Sequence, residues 1–377
     1  MVATDASGKH TTSAGHVSPR FVQDPLDCWR SWVESATPTN CFYLADPATQ
    51  AWAEAYRSVA PGSLLVMQAG EASKTWDSLQ QILAWLMEEQ ADRSSVLLVL
   101  GGGALSDVGA MAAAMFKRGI PWVSVPTTLL AMVDAAYGGK CAINFGGIKN
   151  SVGLYNDPAH RIYYHPYLQT LGVDALVDGW AEIIKHGLVA SQDLMQRNLA
   201  FFGSMKQTSN QVLVPPDQDL LLQALQVKID LVALDPRENG PRKLLNFGHT
   251  MGHALEALIP SLSHGRAVWL GMIYELGLAV SAGLLARDHR LICYESLQTL
   301  SHYVSPSTYP STWPTWKVVL EHLLQDKKNR GGQILWSLPV GVGKADYDRV
   351  VDPALAEQVY EVWIRDPLAW PLIHGNA

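Results

Sequence analysis

The sequence predicts an α/β fold: an N-terminal Rossmann-like parallel-sheet domain followed by an all-α C-terminal domain. Three observations lead there. Apolar, β-branched runs alternate with helical patterns through the first half, the arrangement of strands joined by crossover helices. Strand signals stop at about Val173, and long helical patterns take over. The 377 residues exceed what one hydrophobic core ordinarily serves. The expected divisions are a flexible tail over 1–20, an α/β domain over 21–172 and a helical domain over 173–377.

The elements follow in order. "MVATDASGKHTTSAGHVSPR" is small and polar, with neither apolar periodicity nor the apolar core of a signal peptide, and is read as the tail. "CFYLAD", "SLLVMQAG", "SSVLLVLGGG" and "PWVSVPTT" read as strands. Between them "PATQAWAEAYRSV", "TWDSLQQILAWLMEEQ" and "LSDVGAMAAAMFKRG" read as helices. In the second half "VDGWAEIIKHGLVA", "DLLLQALQVKIDLVALD", "KLLNFGHTMGHALEALI" and "AVWLGMIYELGLAVSAGLLA" are helical, and the prolines of "VLVPPDQD" mark an interhelix loop.

Composition excludes several classes of function. A formal net charge of −7 argues against nucleic acid, which needs a basic surface. Glu275 interrupts the longest apolar stretch, so no membrane span is expected. Cys28, Cys41, Cys141 and Cys293 lie far apart without a CxxC pair, which suggests a reducing, cytoplasmic setting.

Four groups of residues point to chemistry. "VLGGGALSD" ends a strand in three glycines and opens a helix, a place suited to anionic oxygens; Ser106 stands where the dinucleotide fingerprint needs its third glycine, and a tight packing turn is an equal alternative. Asp107 in the first helical turn suits the helix dipole. In "LLNFGHTMGHALEAL", Asn246, His249, His253 and Glu256 recur at steps of three and four and are expected on one helix face, either a metal arrangement or a hydrogen-bonded stripe. His264 begins a further helix, where the dipole should keep it neutral. Glu182 and Lys185 share the polar face of "GWAEIIKHG", as part of a site or as a surface ion pair. Lastly Arg118, Lys140, Lys149, Lys185, Lys228, Arg242, Lys327 and Lys328 recur at element junctions, which suggests a phosphate and carboxylate pocket.

Taken together, "GGGALSDVGAMAAAMFKRG", "VPTTLLAMVDAAYGGK", "INFGGIKNSVG", "GWAEIIKHG", "RKLLNFGHTMGHALEAL" and "LSHGRAVWLGM" resemble the 3-dehydroquinate synthases of the sugar phosphate cyclase superfamily, in order from Tyr43 to the "DKKN" at Asp326–Asn329. The resemblance implies conversion of 3-deoxy-D-arabino-heptulosonate 7-phosphate into 3-dehydroquinate and phosphate, a shikimate-pathway step, with NAD and a divalent metal, zinc or cobalt. It implies Glu182, His249 and His264 as metal ligands, and moves His253 to the substrate side. It implies cofactor contacts at Asp46, Glu71, Lys74, Gly102, Gly103, Asp107, Thr127, Thr128, Asp134 and Lys149. Substrate contacts are implied at Lys140, Asn150, Lys185, Lys228, Arg242, Asn246, His253 and one of Lys327 or Lys328. Arg118 matches a residue that reaches a neighbour's phosphate pocket, which implies a homodimer. The chain departs from the family pattern at Tyr137, Cys141 and Ala142. Other readings are a valiolone-type cyclase of sedoheptulose 7-phosphate, a metal-dependent polyol dehydrogenase, and a silent scaffold; intact Arg242, Asn246 and His253 favour the first-named family.

Overall fold

The structure is a computed structural model that describes residues 3–4, 10–11, 19–205, 212–304, 309–325 and 332–368. The chain divides into two compact units, Met1–Leu171 and Gly172–Ala377.

The first unit begins with a short antiparallel pair, β1 (Ala3–Thr4) and β2 (His10–Thr11). Its body runs α1 (Pro25–Ala36), β3 (Cys41–Ala45), α2 (Gln50–Val59), β4 (Gly62–Val66), α3 (Trp76–Glu88), β5 (Val96–Gly101), α4 (Gly103–Met115) and β6 (Trp122–Pro126). It ends with β7 (Lys140–Phe145), β8 (Ile148–Tyr155) and β9 (His160–Arg161). Five strands form one parallel sheet in the order β4-β3-β5-β6-β9. β3, β5 and β6 are buried along their whole length, which is why they read as unbroken apolar runs: a parallel sheet is covered on both faces. Local chemistry sets the helix starts. The Asp24 side chain accepts from Leu26 N and Asp27 N before Pro25 opens α1, and Thr75 accepts from Ser78 N ahead of α3.

Besides α1 and the β1–β2 pair, two further features of this unit were not in the sequence reading. β7 and β8 form an antiparallel hairpin around Gly146 and Gly147, which have φ of 61° and 79°. A two-glycine loop between alternating strands is a hairpin signal, since both loop residues sit at positive φ. β9, at two residues, is too short to show a periodicity.

The second unit contains α5 (Val173–Ala190), α6 (Gln192–Met205), α7 (Gln218–Leu234), α8 (His249–Leu258), α9 (His264–Ser281), α10 (Arg287–Gln298), α11 (Trp316–Leu324) and α12 (Pro353–Trp363). Its helical character is as expected, with one addition: β10 (Trp336–Gly341) and β11 (Lys344–Arg349) form an antiparallel hairpin. The expected helix over "KLLNFGHTMGHALEALI" is broken. A 3-10 segment, Pro241–Asn246, is followed by Gly248 at φ 80° before α8 starts. Asn246 therefore does not share a helix face with His249, His253 and Glu256.

α9 is buried from Gly265 to Ala279 and so serves as the central helix of this unit. Its neighbours reach it almost backbone to backbone. A Cβ on Gly265 would lie 2.2 Å from Asp178 Cα of α5, and one on Gly271 would lie 2.0 Å from the carbonyl oxygen of Gly248. Ser263, just ahead of α9, donates to Asp178 Oδ1 at 2.5 Å and ties the same junction. We expect Gly271→Ala to lower unfolding free energy by about 1–3 kcal/mol, because the opposing atom is main chain and can yield only if a helix moves. Denaturant titration reads this, and an unchanged midpoint would show that the approach of α8 to α9 is not constrained there.

Candidate functional site

In the first unit the expected cofactor residues gather where β3, β5 and β6 end side by side. Asp46 follows β3, buried, its Oδ1 accepting from Ala48 N at 2.9 Å and Thr49 N at 3.0 Å. Gly102 and Gly103 follow β5, and Thr127 and Thr128 follow β6; Thr127 N donates to Gly101 O at 3.1 Å. Ligands of open α/β sheets bind beyond the carboxyl ends of the strands. Gly102 stands at the α4 N-cap with no side-chain cap hydrogen bond, so the amides of the first turn suit an anion. The packing alternative holds as well: a Cβ on Gly103 would lie 3.1 Å from Ala135 Cβ, and one on Gly102 3.3 Å from Thr128 Cγ2.

A polar network adjoins this edge. Lys74, 4% exposed, donates from Nζ to Asp107 Oδ2 at 2.7 Å and to Asn150 Oδ1, with Glu71 Oε1 at 3.9 Å. Asn144, which sequence reasoning missed, joins Glu71 to the backbone N of Asn150 through bonds of 2.9 Å each. Burial pushes the Asp107 carboxyl up to about 6; Lys74 opposes this, and Glu71 and Asp134 add to it. The structure thus links Asn150, a substrate residue by resemblance, to three cofactor residues. Asp134 is half-buried in the π-helical segment Ala131–Ala135, while Lys140 and Lys149 are exposed on the β7–β8 hairpin. Arg118 is exposed past the end of α4 at φ 68°.

The departures at 137, 141 and 142 take on a physical meaning. Along β7, Cys141 and Ile143 point into the sheet core while Lys140, Ala142 and Asn144 alternate to the other face. The Cys141 thiol donates to Leu154 O at 3.5 Å, and burial pushes its pKa up to about 12. It is a core residue and an unreactive thiol. Tyr137 is buried beneath the Arg161 guanidinium, 4.7 Å from the ring centre.

In the second unit three predicted residues converge. Glu182 on α5 is fully buried and ion-paired through Oε2 with Lys185, itself 1% exposed, so this is no surface pair. His249, the first residue of α8, has Nε2 3.6 Å from Glu182 Oε1 and Nδ1 3.3 Å from Phe247 O. His264, the first residue of α9, has Nε2 3.8 Å from the same Oε1 and Nδ1 3.4 Å from Glu256 Oε2. One ligand atom from each of the three lies within 4.8 Å of the others. Both imidazoles are thus held at Nδ1 by an oxygen acceptor and turn Nε2 to a common carboxylate, the way metal-binding histidines are oriented. Among the described residues Oε2 of Glu182 is met by Lys185 alone, and Oε1, faced by both imidazoles, has no hydrogen-bond donor in place, as suits a carboxylate that takes a cation. These residues fit a divalent ion.

The expectation that His264 stays neutral is corrected. Burial lowers its pKa, but the hydrogen bond and charge of Glu256, with Glu182 and Asp178, outweigh burial and push it up to about 9. Carboxylates within contact distance win over a helix terminus. His253 is exposed, its ring 5.2 Å from His249; with Glu256 and His264 it forms a second possible ligand group, one that lacks the buried carboxylate.

Lys228 is buried on α7, and α5 packs against both α7 and the Pro241–Asn246 segment. There Arg242, 2% exposed, donates from Nη1 to Pro236 O at 2.7 Å, and Asn246 Nδ2 donates to Glu238 Oε1 at 2.8 Å. Asp235 braces the turn: its carboxylate accepts from the backbone N of Asn239, Gly240 and Arg242. Lys327 and Lys328 lie outside the described residues.

Comparison with known proteins agrees in sequence and in shape. The family model for the 3-dehydroquinate synthase N-terminal domain matches residues 64–178, and that for the C-terminal domain matches 179–329. The chain is 38% identical to the 3-dehydroquinate synthase of Parabacteroides distasonis over 82% of its length and 84% of the relative's. Among solved structures it superposes at TM-score 0.78 on a 2-deoxy-scyllo-inosose synthase complexed with carbaglucose-6-phosphate, NAD+ and Co2+ (23% identity, 90% of this chain, 94% of the other). It also superposes at TM-score 0.78 on the 2-epi-5-epi-valiolone synthase ValA of Streptomyces hygroscopicus with NAD+ and Zn2+ bound (24% identity, 94% and 99%). The two solved structures establish the fold, the sequence matches span both units, and the chain belongs to the 3-dehydroquinate synthase family.

Proposed function

We propose that the chain converts 3-deoxy-D-arabino-heptulosonate 7-phosphate to 3-dehydroquinate and phosphate, as a carbon-oxygen lyase dependent on NAD and a divalent metal, zinc or cobalt. The observation that carries this reading is the convergence of two Nδ1-anchored imidazoles on the buried carboxylate of Glu182, in a chain of this family. The cyclases that share the fold were solved with NAD+ and with Co2+ or Zn2+, which supports the same cofactors here.

Bound NAD supplies a reversible hydride acceptor, and the metal polarises the oxygens whose charge changes. The protein's own residues do the rest. Glu182, His249 and His264 would hold the ion. Asp46, Thr127, Thr128 and the α4 amides at Gly102 and Gly103 would hold NAD, with Glu71, Lys74, Asp107, Asp134 and Lys149 around it. Lys228 and Arg242 would receive the substrate carboxylate, the planar guanidinium matching two oxygens. Lys140, Asn150, Lys185, Asn246, His253 and one of Lys327 or Lys328 would position the hydroxyls and phosphate. An anionic substrate requires local positive charge in a chain whose net charge is −7, and these cations would supply it. We place the enzyme in the cytoplasm, in keeping with four free cysteines, and as a homodimer, with the exposed Arg118 reaching a neighbour's phosphate.

Phosphate release from the heptulosonate phosphate with NAD far below the substrate concentration tests the function. Continued turnover is expected; a stoichiometric need for NAD would mean a dehydrogenase, and faster cyclisation of sedoheptulose 7-phosphate would move the chain to the valiolone-type enzymes. The metal set makes its own prediction. Because the His264 pKa is pushed up to about 9, an ion binding near neutral pH must displace its proton. Apparent zinc affinity should therefore strengthen about tenfold per pH unit between roughly pH 6 and 8. His249→Ala should lose the ion, whereas His253→Ala should keep it; a flat pH profile, or equal metal loss in both variants, would break the assignment. Arg242→Ala should lower kcat/KM by about one to two orders of magnitude, the contribution of a charged hydrogen bond, with NAD and metal binding unchanged. Steady-state kinetics beside metal analysis separates those effects.

A further inference from the structure

Glu275 lies in the middle of α9, fully buried, in the apolar stretch it interrupts. Its carboxylate has two backbone donors at the start of α8: Gly248 N donates to Oε2 at 2.6 Å and Met251 N to Oε1 at 3.0 Å. Gly248 is the N-cap of α8 and His249 its first residue, so Met251 is the third. A capping box satisfies these same two amides with two side chains, one on the cap residue and one on the third. Here a single carboxylate from another helix satisfies both.

The cap cannot come from position 248 itself. A Cβ there would lie 2.4 Å from Met272 Cγ and 2.7 Å from Val268 O, and φ is 80°, so serine or aspartate is excluded. The third residue is methionine, whose thioether is only a weak acceptor and no match for the carboxylate of a capping box. Without Glu275 the first turn of α8 would present two buried amides to an apolar helix, at a cost that favours fraying of that turn. A carboxylate also suits the positive end of the helix, which helps offset its burial.

Between the two amides stands His249. Its Nε2 faces Glu182 only if the first turn of α8 keeps its place, because its Nδ1 partner, Phe247 O, belongs to the same turn. We infer that Glu275 is a positioning residue for the metal centre: it fixes the start of α8, and so the imidazole of His249, relative to the carboxylate of Glu182. This rests on the metal reading given above.

The test is a cobalt titration of the chelator-stripped full-length protein, read by the visible absorption of the bound ion, with circular dichroism as a check on folding. Wild type should bind one ion. Glu275→Ala should bind it about tenfold to a hundredfold more weakly, as removal of groups that orient a ligand does, and with an altered spectrum. Glu275→Gln should fall between, since its amide retains one acceptor oxygen but turns a donor toward the second N–H. Tyr360→Phe, which deletes the hydroxyl that donates to Pro314 O at 2.7 Å, perturbs the unit elsewhere and should leave affinity and spectrum unchanged. A folded Glu275→Ala with wild-type affinity and spectrum overturns the inference, as does an equal loss in Tyr360→Phe. If Glu275→Ala does not fold, Glu275→Gln decides, and its matching wild type in both readouts overturns the inference. A wild-type protein that binds no cobalt defeats the metal reading itself, and the inference falls with it.

Discussion

Burying the Glu182 carboxylate is the constraint on which the second unit depends. An ionised carboxylate removed from water costs several kcal/mol, roughly, unless charges and donors replace the solvent. Lys185, one turn on, supplies one charge, and His249 and His264 place their Nε2 atoms toward the other oxygen. Both histidines are the first residues of their helices, so their positions follow from where α8 and α9 begin. Those starts are set by main-chain contact. Gly265 brings the beginning of α9 against Asp178, one turn before Glu182, and Gly271 brings α9 against the carbonyl that precedes α8. A side chain at either position would part the helices and leave the carboxylate without its partners.

Two buried glutamates in one unit show how surroundings assign a role to the same residue type. Glu275 accepts a backbone amide with each of its oxygens, a structural role. Glu182 has no such bond among the described residues, and faces an ammonium and two imidazoles instead. The first can take no further cation without giving up a helix cap. The second has one oxygen paired with Lys185 and turns the other to two imidazoles, which leaves it suited to a further cation.

Much of this was legible in the sequence. The fully buried strands β3, β5 and β6 announce themselves as apolar runs, and the glycines after β5 mark the edge where Asp46, Thr127 and Thr128 collect. What was not legible has physical causes. The break at Gly248 is invisible to periodicity, because residues either side of it keep a helical spacing; only φ separates Asn246 from the face of His249. Glu182 and Lys185 look like a solvated pair, since a polar stripe on a helix reads the same whether it faces water or an interior site. Glu275 looks like a mere interruption of an apolar helix, because its partners are backbone amides 24 and 27 residues away and carry no sequence signature.

The departures from the family pattern bear on how substrate choice would be distributed along β7. Cys141 alternates into the core, so the exchange there is one of packing volume, and any influence on substrate would have to pass through the strand. Ala142 lies on the face that carries Lys140 and Asn144, and Asn144 in turn holds Glu71 and the backbone of Asn150. Of the two exchanges, then, the one at 142 touches the face that carries charge and hydrogen bonds, and what stands there is a methyl group with neither donor nor acceptor. A residue that offers no donor cannot by itself select between a carboxylate and a neutral sugar. Under the proposed function that discrimination would fall instead to groups with donors in fixed geometry, such as Arg242, whose own amide and side chain are both tied to the Asp235–Pro236 turn.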